Sequence, residues 1–244
     1  MSWRAGSSPT VAIACLPERP SKLDGETAIV VVDVIRATTT AITAAVAGHR
    51  IFPVCSPSAA LRAAAGLVEP ILAGEIDGIQ PLGFDLHNSP SQVLKLASSI
   101  RPIVLLSSSG TRLMLEAWHN SPTYVCCLRN VTAQADHLAA LYCNVLIVGV
   151  DRHGEFREED QLCAARIAMR LLEHGYRVLD SPTMDLIVRL GAAPDHLMVR
   201  GRSACYLRET GQDEDLVFVL DHIDDLDVVL RVCERAIPPV CSIR

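Results

Sequence analysis

Carboxylates, arginines and hydroxyls gather at four places in this sequence, each where an apolar run gives way to a helical pattern. In "VVVDVIRATTT", residues 30–40, Asp33 closes the apolar run, and Arg36, Thr38, Thr39 and Thr40 surround a helix start. Free N–H groups and hydroxyls at a helix N-terminus favour an anion, and a guanidinium grips phosphate at two points. From this stretch alone, Asp33 as a cap and the threonines as space-fillers is the simpler reading. In "AGEIDGIQPLGFDLHNSP", residues 73–90, Glu75, Asp77 and Asp85 lie among Gly74, Gly78 and Gly83. Such a loop offers oxygen ligands to Mg²⁺, which takes one or two carboxylates and keeps waters. Its "NSP" end also reads as plain helix initiation, Ser89 capping and Pro90 in the first turn. The loop is long for a mere connection.

The third place is "VLLSSSGTR", residues 104–112. A turn of serines and glycine lets Ser108, Ser109, Gly110 and Thr111 bring amides and hydroxyls close to a phosphate, although ordinary capping uses the same residues. No GxxxxGK precedes the helix, so this is not a Walker loop. The fourth is "DRHGEFREEDQL", residues 151–162, where Asp151, Glu155, Glu158, Glu159 and Asp160 crowd a helix start. Acids there complement the helix dipole; alternatively Glu159 and Asp160 complete a metal shell.

The elements that must position these residues alternate. Strands are expected at "AIVVVDVI", "IFPVC", "PIVLLSSS", "TYVCCL", "NVLIVGV" and "DLVFVL". Helical patterns fall at "TTAITAAVAG", "SPSAALRAAAGLV", "SPSQVLKLASSI", "TRLMLEAWH", "TAQADHLAALY" and "EEDQLCAARIAMRLLEHGY". Continuous apolar strands suit burial on both faces, so the fold class is α/β, a three-layer α/β/α arrangement on one largely parallel or mixed sheet. Residues 1–244 read as one domain, within which 180–212, richer in charge and turn residues, forms a helical subdomain or lid. The tail "RAIPPVCSIR" is expected to run over the surface. In open α/β sheets ligands gather at the carboxyl ends of the strands, where all four motifs lie.

Composition narrows the function. With 22 basic and 28 acidic residues the net charge is −6, and no Lys/Arg cluster exists to seat a nucleic acid. The Val11–Leu16 run is too short for a signal core, and no run approaches a membrane span, so a cytoplasmic protein without membrane partners is expected. Nine cysteines without CxxC spacing read as reduced thiols. A homo-oligomer suits an apolar α/β protein of this size.

Together, "VVVDVIRATTT", "GEIDGIQPLGFDLHNSP", "SSSGTR" and "EEDQLCAA" resemble the 2-phosphosulfolactate phosphatase family, the ComB-like phosphohydrolases, in that family's order. The resemblance implies a ComB-like fold and a Mg²⁺-dependent phosphatase that converts 2-phospho-3-sulfolactate to sulfolactate on a route toward coenzyme M. It carries over Asp33, Arg36, Thr38 and Thr39, then Glu75, Asp85, Asn88 and Ser89, then Gly110, Thr111, Glu159 and Asp160. In this reading Asp33, Arg36 and Asp160 are catalytic, and Asp33, Glu75, Asp85, Glu159 and Asp160 supply the metal ligands. Thr38, Thr39, Asn88, Ser89, Ser108, Ser109, Gly110 and Thr111 hold the substrate. The substrate is a small phosphorylated acid bearing a sulfonate or carboxylate, for which Arg112 and Arg152 are candidate partners. The nucleophile is a water activated at the metal, with a covalent aspartyl-phosphate as the alternative. The chain departs from the family pattern at Ser109, where asparagine is usual, and at His87, where glycine is usual.

Other phosphatase chemistries find less support. Asp33 is followed two places on by Ile35, not the second aspartate of a haloacid-dehalogenase site, and no cysteine has an arginine six places on. The "RHG" triplet at 152–154 is the rival, because histidine phosphatases use such a histidine, His153 here, as phosphoryl acceptor. A non-catalytic binder of phosphorylated or sulfonated metabolites is the alternative from another class.

Overall fold

The protein is described here from a computed structural model covering residues 8–15, 27–96, 100–118, 121–149, 156–233 and 236–238. The chain opens with two buried β-branched runs, β1 (Thr10–Cys15) and β2 (Thr27–Val32), and turns through Asp33–Arg36 into α1 (Ala37–Val46). Next come β3 (Ile51–Val54), α2 (Pro57–Ala64), β4 (Ile71–Gly74) and the short α3 (Pro90–Leu94). Then β5 (Ile103–Leu106), α4 (Gly110–Trp118), β6 (Thr123–Cys126), α5 (Val131–Leu141), β7 (Asn144–Gly149) and the long α6 (Glu158–Glu173) follow. The last elements are β8 (Arg177–Val178), α7 (Ser181–Leu190), α8 (Arg202–Glu209), α9 (Asp213–Asp221) and β9 (Leu230–Arg231).

Two sheets form, not one. The larger has the order β8-β1-β7-β2-β6-β9, parallel except for β9; the smaller, β3-β5-β4, is wholly parallel. On one face of the large sheet α5, α6 and α7 bury Val30, Val32, Ile147, Leu162 and Ile167. On the other, α1 and α4 fill the space between the two sheets, with Ile29 and Val31 of one and Ile103 and Leu105 of the other enclosing Ile42 and Met114. The outer face of the small sheet, Val54, Val104 and Leu106, is covered by α2 through Ala60. The three-layer α/β/α arrangement holds for the large sheet, and the small sheet is added beyond it.

The sandwiched position of α1 explains its composition. Residues Ala37 to Ala45 are all buried, so no polar stripe is possible and small side chains let both sheets approach. Its threonine hydroxyls answer to backbone: Thr38 Oγ1 donates to the Asp33 carbonyl and Thr39 Oγ1 to that of Val34. The small sheet covers the outer side of this helix through Ile51, Ile71, Ile103 and Leu105.

Two sequence expectations are corrected. "DLVFVL" lies in α9, where Asp213, Glu214 and Asp215 occupy the first turn and burial at 215, 216, 218 and 219 follows a helical period. Of the tail only 236–238 is among the described residues, and there Ile237 is buried and exchanges two backbone hydrogen bonds with Ile51. Residues 180–212 are divided. α7 belongs to the main helical layer, its Thr183 hydroxyl accepting from the Ile13 amide, whereas α8 packs with α9 through Ala204, Leu207 and Leu216 beside Ile35. That placement sets α8 at the carboxyl end of β2. No described helix is long and apolar enough to cross a membrane.

Registers bring the motifs to one end. Val32 stands opposite Gly149 and Cys126, and Gly74 opposite Leu106. The segments after β2, β4 and β5, and the first turn of α6, therefore share the carboxyl edge of the two sheets.

Candidate active site

The turn after β2 is closed by its own residues. Thr38 Oγ1 accepts from the Asp33 amide at 3.1 Å while the Thr38 amide donates to the Asp33 carbonyl at 2.9 Å. This loop holds Asp33 rigidly, and its carboxylate lies against the start of α4. A Cβ on Gly110 would fall 2.1 Å from Asp33 Oδ2, so only glycine leaves room for the acid there. Asp160, buried in the first turn of α6, accepts the Val34 amide at 2.7 Å. Burial pushes its carboxyl well above the ordinary range, and the charges of Asp33 and Glu159 push it the same way. Both oxygens of Glu159 are buried without a hydrogen-bond partner among the described residues. Burial raises its carboxyl too; the Ser203 hydroxyl opposes that rise from nearby without reaching hydrogen-bond geometry.

Arg36, three residues beyond Asp33, is 5% exposed and doubly held. Its Nη1 donates to Asp215 Oδ2 at 2.5 Å and its Nη2 to His87 Nδ1 at 2.9 Å. The other oxygen of Asp215 is occupied by the Ser89 hydroxyl and the Ser91 amide. His87 Nε2 lies 3.0 Å from the Gly78 carbonyl. An arginine can only donate, so Nδ1 is the acceptor, Nε2 carries the proton and the ring is neutral. Burial, then the Arg36 charge, lowers the His87 pKa, consistent with that state.

Arg36 opens on a cavity of about 330 Å³, to which Asn88, Arg157, Arg202, Ser203 and Tyr206 also contribute. Asn88 Oδ1 is buried and without a partner among the described residues. Glu75 is the acid in this lining, and its oxygens are already occupied: Oε1 accepts the Ser108 amide, Oε2 the Ser108 hydroxyl and the Gly78 amide. Three arginines around one saturated carboxylate make a space that favours an anion. The segment 33–36 thus serves two neighbouring places, a buried acidic corner at Asp33 and Asp160 and a basic cavity at Arg36.

The structure brings Asp33, Asp160 and Gly110 together in the corner and sets Arg36 and Asn88 on the cavity. Hydrogen bonds show how the other expected site residues are engaged in the fold. The five-carboxylate metal shell does not form: among the described residues no three His, Cys, Asp or Glu side chains converge to hold a metal. Asp85 is exposed and its carboxylate accepts the Leu72 amide at the edge of the small sheet. Glu75 organises loops, and Glu159 faces Ser203 and Gly201 at the start of α8.

Among the expected substrate hydroxyls, those of Thr38 and Thr39 close their own turn, and Ser89 caps α3 and holds Asp215. Ser108 ties Glu75 to the Asp77 amide, and Thr111 binds the Val54 carbonyl and the Ser107 amide. Ser109 starts α4 through its carbonyl, which accepts from Leu113. Arg112 pairs with Glu116 on an exposed face. Arg152, His153 and the rest of the RHG triplet, with Asp151 and Glu155, lie outside the described residues.

Sequence reasoning missed Asp215, and it marked His87 only as a departure from the family pattern and α8 only as part of a helical subdomain or lid. Asp215 is 179 residues from Arg36, and nothing local in "GQDEDL" announces such a partner.

Comparison with known proteins gives a consistent picture. The family model described as 2-phosphosulpholactate phosphatase matches residues 15–235. A probable 2-phosphosulfolactate phosphatase of Symbiobacterium thermophilum is 31% identical over 200 residues, covering 78% of this chain and 84% of that protein. The protein of the same name from Carboxydothermus hydrogenoformans is 35% identical over 157 residues, 63% of this chain and 65% of its own. That of Pseudothermotoga lettingae is 33% identical over 153 residues, 62% and 66% respectively. In the latter two the match spans just under two thirds of the relative's length.

Proposed function

The chain belongs to the 2-phosphosulpholactate phosphatase family, and from that premise we propose that it is a phosphoric monoester hydrolase acting on 2-phospho-3-sulfolactate or a similarly small phosphorylated hydroxy acid. The observation that carries the reading is Arg36, buried, fixed by Asp215 and His87, and facing a cavity with two further arginines. Two of its five N–H groups are engaged among the described residues, which leaves three for a phosphoryl oxyanion. Hydrolysis of a phosphate monoester is very slow without a catalyst, so neutralising and orienting the phosphoryl oxygens is the main task. Arg157 and Arg202, with Ser203 and Tyr206, suit the second anionic group of such a substrate. The buried Asn88 oxygen, lacking a partner, suits a hydroxyl or acid proton.

The residues fit a divalent cation. Asp33 lies close enough to the buried Asp160 that its charge, with that of Glu159, opposes ionisation of Asp160, and both Glu159 oxygens are without a partner among the described residues. Mg²⁺ needs only one or two carboxylates, so Asp33 and Asp160 would hold it. Bound there, it would supply Lewis-acid neutralisation of phosphoryl charge. Asp33, pinned by Thr38 and Gly110, keeps its carboxylate fixed for this work, and Arg36 orients the phosphate. Sulfolactate as product fits a route toward coenzyme M. A purely anion-binding protein would gain nothing from the buried acidic pair, which costs folding energy unless it serves a cation.

The test is phosphate release from a panel containing phosphosulfolactate and phospholactate, with Mg²⁺ and with EDTA, for the wild type and Asp33→Asn. Release that EDTA abolishes, and a loss of roughly 10²-fold or more in Asp33→Asn at unchanged melting temperature, is the expected result. An active Asp33→Asn protein, or EDTA-insensitive release, overturns the assignment.

A further inference from the structure

We propose that His87 is a positioning residue for Arg36: its neutral imidazole is the second anchor that fixes the plane of the guanidinium at the mouth of the cavity. The inference rests on the reading of Arg36 as the phosphate-binding group. The Asp215 contact alone is a single point, Nη1 to Oδ2, because Oδ1 is taken by the Ser89 hydroxyl and the Ser91 amide. A guanidinium held at one point can swing about it, and a planar fork binds an oxyanion well only when its plane is set. The Nη2 contact to His87 Nδ1 removes that freedom.

The chemistry of the second anchor matters. Another carboxylate would add a second negative charge to the guanidinium and cancel the attraction for phosphate. A neutral ring nitrogen orients the donor and leaves the positive charge for the substrate. The ring is itself fixed, because Nε2 donates to the Gly78 carbonyl and the His87 amide donates to Gln92 Oε1. Gly78 in turn gives its amide to Glu75, and a Cβ there would fall 2.1 Å from the Tyr206 hydroxyl of α8. One imidazole therefore ties Arg36 to the loop of residues 75–79, against which α8 rests. With both nitrogens engaged, His87 has no free position from which to pass a proton to substrate, which separates positioning from acid catalysis.

Substitution distinguishes the two ring nitrogens. Asparagine presents an oxygen at the δ position and keeps the acceptor for Arg36; glutamine reaches the ε position and keeps only the contact to Gly78. His87→Ala and His87→Gln should lower kcat/KM and weaken inhibition by inorganic phosphate by about 10- to 100-fold. His87→Asn should restore both to within roughly threefold, with all three variants melting within a few degrees of the wild type. If the asparagine and alanine variants behave alike, or alanine matches the wild type, the positioning role is overturned. Arg36→Ala is measured alongside, and if it keeps phosphate inhibition and turnover, the reading of Arg36 itself falls.

Discussion

Gly110→Ala is a change of one methyl group aimed at the acidic corner. The new Cβ would sit 2.1 Å from Asp33 Oδ2 and 2.8 Å from the Ala37 Cβ, about 1.3 Å short of the 3.4 Å at which ordinary contact with the oxygen begins. Neither wall can retreat. α4 is anchored through the Thr111 hydroxyl to the Val54 carbonyl, with Met114 fully buried, and Ala37 opens the run of buried residues Ala37 to Ala45 in α1. The carboxylate of Asp33 must therefore move by about an ångström, in a turn pinned by Thr38. Overpacking of this kind costs roughly 1–3 kcal/mol, and alanine returns up to about 1 kcal/mol over glycine in a helix, so the net loss of stability is about 0–3 kcal/mol, at most about 10 °C in a chain of this size. Displacing a reacting group by about 1 Å can cost roughly 10²-fold in rate. Phosphate release at saturating Mg²⁺, with thermal melts on the same samples, should show a large kinetic loss beside a shift of at most about 10 °C. Activity within about threefold of the wild type in a folded Gly110→Ala protein would refute the placement of Asp33 at the reacting centre.

Two further outcomes follow from the ion pairs. Asp215→Asn keeps the shape but strips the charge facing a guanidinium whose side chain is 4% exposed. Leaving a buried charge uncompensated costs about 3–5 kcal/mol, which for a chain of this size is on the order of 10 °C in the melting temperature. An unshifted melt would show that Arg36 has another counter-charge. At the surface, Arg170, followed by His174, holds the Asp136 carboxyl down from 3.8 to about 2. A lowered folded value stabilises the protein above the unfolded value, so this contribution is complete above about pH 4 and disappears as the pH falls through about 2. The melting-temperature gap between the wild type and Asp136→Asn should therefore close between about pH 4 and 2, and shrink in high salt because the pair is exposed. A gap that is independent of pH would contradict the pairing.

The alternation of apolar runs with Ala-rich helices carried the fold class, because burial on both faces leaves β2 no solvent-facing position. It did not reveal the second sheet, because Ile51, Ile71 and Ile103 look alike in either sheet. "DLVFVL" was misread as a strand because a short apolar run carries no decisive period, and the acids before it were the only helical sign. β4 escaped notice as a run of four residues beside a loop, and the apolar run of β1 was weighed only as a signal core.

In the site, residue type and position at strand ends left capping as the simpler reading, and it was the family resemblance of the four motifs that singled out Asp33, Arg36 and Asp160 as candidates. What those side chains touch was not legible. A threonine hydroxyl that closes its own turn, as in Thr38, has the same letter as one that binds substrate, and a carboxylate saturated by three donors, as in Glu75, has the same letter as a metal ligand. Long-range partners such as Asp215 are set by how α9 packs against α3 and α8, a property of the assembled chain. The class of fold, the strand-to-helix joins and the kinds of group gathered there are readable along the chain, because they follow from local hydrophobic pattern and chemistry. Which groups remain for a ligand is set by folding, because hydrogen bonds and burial are allotted between segments that the chain order keeps far apart.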